Sequence, residues 1–351
     1  MEGYNRNMNQ TIKIVIPTAG WATRMRPQTW SKPKPLVSVA GKTVLEHLLG
    51  TFRSIPESFS VEYVIIFSPG LGESQIPPFM KEHYPDLKVS YVLQPVMKGQ
   101  SDALDLAHAY LAGPMIVCFS DTLMETDFSF LAEEKADGVA WVKPVPDPRR
   151  FGVAEVDSQG WVTRLVEKPV SLENNRVVIG CYYVRESQDL ISAIQEQTKR
   201  GTSLKGEYFL ADAFNIMIER GFKMRTQSVD VWLDTGTIDA ALETNRYLLK
   251  HGQANRTEGE KKDGVEIIPP VFIHGSARVF NSVIGPYASI DADCRISNAR
   301  IEDCVLEAGV SVETAFLKGS FIGRSSSIQG RSASDPPLKL NIGDNSSVVI
   351  K

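Results

Sequence analysis

Cysteine is scarce: four residues in 351, Cys118, Cys181, Cys294 and Cys304, and none of them is spaced as C-x-x-C. That excludes the common ligand pattern of a structural zinc site and of a redox dithiol, and leaves reduced, buried thiols as the expectation. Long apolar runs are missing too. No stretch of about 18 apolar residues exists, so no membrane-spanning helix is expected. The first ten residues, MEGYNRNMNQ, are polar and hold no apolar secretion core, which makes the cytoplasm the expected compartment. Nor does one sign of charge dominate, since 38 Lys and Arg against 42 Asp and Glu leave a formal −4. A nucleic acid or a membrane surface would need a local basic patch; the nearest candidate, Glu260-Lys261-Lys262-Asp263, offsets each lysine with an acid. Neither is expected as a partner. At 42% apolar and 23% charged, the composition is that of a folded protein long enough for two domains.

Two hydrophobic periods divide the chain. Up to about Leu249, short apolar runs alternate with longer amphipathic ones: Ile12–Ile16, Val61–Phe67, Val89–Leu93 and Met115–Phe119 read as strands, Thr43–Phe52 and Gly99–Leu111 as helices. This alternation predicts an α/β domain over residues 1–255, built on a mainly parallel sheet. In such sheets ligands lie beyond the carboxyl ends of strands, which directs attention to the residues after Ile16 and after Phe119. The polar stretch HGQANRTEGEKKDG, 251–264, reads as a linker or surface loop. Beyond it Ile284, Ile290 and Ile296 recur every six residues, as do Ile322 and Ile328, and Ile342 and Val348. A hexad headed by an aliphatic residue, with a small residue four places on, predicts a parallel β-helix over residues 256–351, with four to five turns at about 18 residues per coil.

The first strand runs into Pro17-Thr18-Ala19-Gly20-Trp21-Ala22-Thr23-Arg24-Met25-Arg26-Pro27, followed by Lys32-Pro33-Lys34-Pro35-Leu36. Small residues at a strand end expose backbone N–H groups that can wrap a phosphate. Arg24, Arg26, Lys32 and Lys34 would then neutralise polyphosphate oxygens. The loop is neither a G-x-x-x-x-G-K-[ST] phosphate loop nor a good G-x-G-x-x-G dinucleotide fingerprint.

It resembles the signature of the sugar nucleotidyltransferases, A-G-x-G-T-R-[ML]-x-P-x-T followed by P-K-P-L, with Ala22 where that family usually carries glycine. Further segments follow in the family's order, from Ile12 to the end of the chain. The resemblance implies a Rossmann-like nucleotidyltransferase domain followed by a short left-handed parallel β-helix. It implies nucleotide binding by Ala19, Gly20, Trp21, Ala22, Thr23, Arg24 and Lys34, with Gln94 and Gly99 reading the base. Asp121 and Asp234, the latter in Trp232-Leu233-Asp234-Thr235-Gly236, would be the Mg2+ ligands. Gly152, Glu167, Lys168, Gly180 and Glu207, with Asp212 nearby, would form the sugar-phosphate pocket. Arg24, Lys34, Asp121, Lys168 and Asp234 would carry catalysis. The implied reaction joins a nucleoside triphosphate to a sugar 1-phosphate and releases pyrophosphate. Its nucleophile is already anionic and needs no general base, in keeping with five histidines that all fall outside the motifs.

The run Lys205–Asp212, the segment Glu243–Leu249 and the short β-helix are most similar to the longer glucose-1-phosphate thymidylyltransferases and their uridylyl relatives. dTTP or UTP with glucose 1-phosphate is therefore the favoured pair, and a mannose-1-phosphate guanylyltransferase-type specificity is the alternative. A non-catalytic subunit that binds nucleotide-sugars could tolerate Ala22, but has no need of Asp121, Lys168 and Asp234. An acyltransferase on the hexad repeat would need a catalytic histidine and more coils, and His274 stands at the very start of the repeat. The coil stack is expected instead to join subunits of a homo-oligomer or to regulate.

Overall fold

The computed structural model describes residues 10–204, 206–255, 261–262 and 264–350. The polar first nine residues, Lys205 and most of the charged stretch 256–263 lie outside the described residues. Compactness groups the chain into two units: residues up to Gly20 with Leu48–Trp232, and Trp21–His47 with the chain from Leu233 onward. The partition by period sets its boundary near residue 255, whereas by compactness Trp21–His47 and Leu233–Asn255 group with the hexad repeat.

The first unit is built on a nine-stranded sheet. Gln10–Pro17 runs parallel to Phe59–Phe67 on one side and to Met115–Cys118 on the other, and Val89–Leu93 extends the parallel set beyond Phe59–Phe67. Ile12, Ile14, Val15 and Ile16 are all fully buried, as expected of a strand covered on both faces. These four strands are the Rossmann-like core. From there the sheet turns antiparallel: Arg176–Val184 pairs with Met115–Cys118, Gly138–Pro144 and Gly152–Val156, and Val162–Glu167 pairs with Gly152–Val156. Met224–Ser228 adds to Gly138–Pro144 in parallel. The sheet is thus mixed where the alternating pattern suggests a mainly parallel one. The reason is local. Asp157 accepts the N–H groups of Gln159 and Trp161 through Oδ1, each at 2.9 Å, closing a turn so short that it can join only antiparallel strands.

The helix expected over Gly99–Leu111 is α-helical only at Gln100–Leu106 and continues as a 3-10 turn, His108–Tyr110. The helix Val44–Thr51 forms where expected, and Thr43 and Glu46 cap it reciprocally. Among the described residues no helix is long and apolar enough to cross a membrane.

In the second unit the hexads stack into three parallel sheets. Ile284, Ile290 and Ile296 occupy three successive sides of one coil, and each meets the next coil in register: Ile284 with Ile301, Ile290 with Leu306, Ile296 with Val312. The coil repeat is therefore 17 or 16 residues, shorter than three full hexads; only the last coil, which carries the loop after Gly330, is longer. Corners are tight because residues there take left-handed conformations, among them Asn281, Asp293, Asn298, Asp303 and Asn345. Asn and Asp tolerate that region better than other side chains. At Gly285 a Cβ would sit 1.9 Å from the Ile268 carbonyl, so no other residue fits that corner. Asn255, in the stretch that reads as a linker, already bonds the first coil through Ile273.

Candidate functional site

In the sheet unit, the chain leaves the first strand with Thr18 tied to the neighbouring strand: its N–H and hydroxyl both donate to the Ile66 carbonyl, at 2.7 and 2.8 Å. Ala19 is buried. Gly20 has open space where a side chain would stand, so its backbone is approachable by a ligand. Gln94 is also buried; its amide NH2 donates to the Gly99 carbonyl at 3.1 Å and to Asp102 Oδ2 at 2.7 Å. A base-reading Gln94 would therefore have to read through its carbonyl oxygen. Gly99 has a positive φ of 108°, and a Cβ there would lie 2.5 Å from the Tyr208 carbonyl oxygen. The glycine is required by the approach of the 206–209 backbone, which ties the Gln94 loop to the segment holding Glu207.

Asp121 lies in the turn after Met115–Cys118 and is half-buried. That turn is pinned by Thr122, whose N–H donates to Phe119 and whose hydroxyl donates to Ile179. Gly180 explains itself here: its φ is 84°, and a Cβ would sit 2.4 Å from the Phe119 ring, two residues before Asp121. The sugar-pocket candidates gather at the end of Val162–Glu167. Gly152 pairs with Glu167, and a side chain on it would press on the Glu167 carboxylate at 3.1 Å. Burial holds the Glu167 carboxyl above its ordinary value; Lys168 opposes this, and Asp212 and Glu207 add to it. Asp212 is raised as well, again chiefly by burial. Lys168 takes a left-handed conformation with φ of 50°, lies 3.9 Å from Glu167 and rests over the Phe209 ring at 4.7 Å. A strained residue that aims an ammonium beside a raised carboxyl is a feature of binding sites more often than of plain cores. Phe209 is a contact that sequence reasoning missed; an aromatic after Glu207-Tyr208 was its only signal.

The second unit holds the remaining candidates. Ala22 adopts the left-handed region, φ 45° and ψ 39°, and its carbonyl accepts from Met25 N–H and Thr29 Oγ1, which close the turn. Trp21, Thr23 and Arg24 are exposed and Lys34 is half-buried. Arg24 and Asp234 come together around Gly236: a Cβ on Gly236 would stand 2.8 Å from Asp234 Oδ1 and 3.3 Å from Arg24 Nη2. The Gly236 N–H also donates to Asp234 Oδ1 at 2.7 Å, which orients the carboxylate. Lys32 departs from expectation. It is 1% exposed and pairs with Glu307 and Asp344, so it is not available to polyphosphate. An acid following the aliphatic head of one hexad, Leu306-Glu307, was the signal for it.

As donors, Asp121 and Asp234 are hard oxygen ligands, the kind magnesium takes one or two of while substrate phosphate and water complete its shell. Among the described residues no group of three or more His, Cys, Asp or Glu is gathered as an all-protein cage. The donor chemistry suits a metal that arrives with phosphate.

A Rossmann-like core and a stack of hexad coils define an α/β protein with a β-helical segment. The chain belongs to the nucleotidyl transferase family, whose profile matches residues 13–251. It is 28% identical to a glucose-1-phosphate thymidylyltransferase of Streptomyces griseus, over 95% of this chain and 98% of that one. It is 27% identical to Agl11, a low-salt glycan biosynthesis nucleotidyltransferase of Haloferax volcanii, over 95% and 99%. A crystal structure of a Bacillus anthracis protein assigned as a glucose-1-phosphate thymidylyltransferase, with sucrose bound, superposes with a TM-score of 0.58 at 21% identity. It covers 71% of this chain and 98% of that one, and speaks to the fold alone.

Proposed function

We propose that the protein transfers a nucleotidyl group from dTTP or UTP to glucose 1-phosphate, forming a nucleotide-sugar and releasing pyrophosphate. The observation that carries this reading is the end-to-end similarity to the Streptomyces griseus thymidylyltransferase, which extends through the hexad coils. In the reaction an oxygen of the sugar 1-phosphate forms a bond to the α-phosphorus, and the bond from that phosphorus to the β-bridging oxygen breaks. No proton is transferred, so no histidine is required. The task of the protein is to hold two anions in line, which repel strongly at short range unless cations intervene.

In this reading Lys168 holds the sugar phosphate, Glu167 and Glu207 meet the sugar, Gly152 leaves room for the Glu167 carboxylate, and Gly180 borders the pocket. Ala19 to Thr23 line the triphosphate with backbone N–H groups, Gln94 and Gly99 border the base, Lys34 steadies the phosphates, and Arg24 stabilises charge on departing pyrophosphate. Magnesium held by Asp121 and Asp234 would screen the phosphate oxygens. The coil stack serves to join subunits of a homo-oligomer.

The test is pyrophosphate release with magnesium, a panel of five triphosphates and several sugar phosphates, with the product identified by mass. dTTP or UTP with glucose 1-phosphate is expected to lead. GTP with mannose 1-phosphate as the best pair would replace the substrate assignment, and nucleotide-sugar binding without turnover would make the chain a regulatory subunit.

A further inference from the structure

Lys32 belongs to the most basic part of the chain's signature loop, yet its ammonium is buried between two carboxylates of the β-helix. Glu307 is fully buried; it pairs with Lys32 through one oxygen and accepts the Ser38 N–H at 3.2 Å through the other. Asp344 Oδ1 meets Lys32 Nζ at 2.7 Å and the Arg324 N–H at 2.8 Å, and its Oδ2 accepts from Ser31 Oγ at 2.6 Å. Arg324 in turn donates through Nη2 to the Leu36 carbonyl at 3.1 Å. Glu307, Arg324 and Asp344 come from three successive coils. Their bonds grip the loop at residues 31 and 32 on one side of Lys34 and at residues 36 and 38 on the other.

A buried ion cluster of this kind is a poor source of stability, because desolvation offsets most of the attraction. An apolar contact would hold the two segments together as well. What the cluster adds is a single geometry, since each carboxylate oxygen has an assigned donor.

We propose that Lys32, Glu307 and Asp344 are positioning residues for nucleotidyl transfer, clamping the loop so that Lys34, with Arg24 on the same segment, meets the triphosphate in one arrangement. This rests on the reading of Arg24 and Lys34 as triphosphate ligands. The β-helix then governs the affinity for triphosphate, while affinity for sugar 1-phosphate is set by residues of the sheet unit.

The test is steady-state kinetics of the full chain with both substrates varied, comparing wild type with Lys32→Met/Glu307→Gln, which removes both charges of the buried pair and leaves Asp344 the Arg324 N–H and the Ser31 hydroxyl as its donors. Circular dichroism and a melting curve establish that the variant is folded. The expected result is a rise of about tenfold or more in KM for the triphosphate, with KM for the sugar 1-phosphate within about twofold. Asp239→Asn, which breaks the exposed Lys339 pair, serves as the unchanged control. Should the double variant not fold, Asp344→Asn decides, with a smaller rise expected in the same KM alone. An active wild type beside a folded variant whose two KM values rise together, or do not move, overturns the positioning role. A wild type inactive with every triphosphate overturns the reading beneath it.

Discussion

The sheet unit and the coil unit solve one problem, holding candidate site residues in place, by different physics. In the sheet unit the device is steric: Gly99 and Gly180 let Tyr208 and Phe119 come closer than any side chain would permit, and the loops of Gln94 and Asp121 are set by those approaches. Charge there is left half-buried, as the raised carboxyls of Glu167 and Asp212 show. In the coil unit charge is the device itself, with Lys32, Glu307 and Asp344 enclosed and each oxygen matched. Steric keys tolerate no added atom, whereas ionic keys tolerate no missing partner.

Gly99→Ala puts the largest strain on that contrast. The new Cβ must move the Tyr208 backbone and hold a positive φ, for a combined loss of about 3 kcal/mol. A chemical-denaturation midpoint indistinguishable from wild type would show that the steric account is wrong.

A smaller effect is expected at Glu167, in its pH dependence. Its carboxyl sits above the ordinary 4.5, first because it is buried, so the folded state keeps the proton longer than the unfolded chain does. Stability therefore falls as pH climbs from 4.5 through the raised value. Glu167→Gln removes that slope, and its melting temperature should gain on wild type as pH rises above 4.5. Parallel melting curves across that range would argue against a strained carboxyl.

The smallest change is Ala22→Gly. Ala22 is held in the left-handed region, where glycine has no steric penalty, so the variant should gain about 1 kcal/mol or less in stability and keep or raise turnover. A drop in either would mean that the methyl group does something the turn geometry does not reveal.

Much of this was legible in the sequence. The parallel strands show as apolar runs because both their faces are covered, and the hexads show because a coil needs an inward aliphatic at each side. The antiparallel half was harder. Residues 138–184 have strands whose partners are chosen by turns such as Asp157–Gly160, and period alone does not reveal pairing. The candidate site residues stand out as motifs, but the packing of each one does not. Lys32 and Lys34 look alike in a list of cations, and only burial separates them. Gly99 and Gly180 stand in motifs that a ligand would use, while their immediate cause is a neighbouring backbone and a ring.

The clamp also has an order in time. Glu307 follows Lys32 by 275 residues, and Asp344 by 312. At a synthesis rate of about 5 to 20 residues per second, a ribosome delivers the first counter-charge roughly 14 to 55 seconds after the lysine. Through that interval Lys32 lacks its buried partners, and the ionic grip on its segment closes only when the final coils are made.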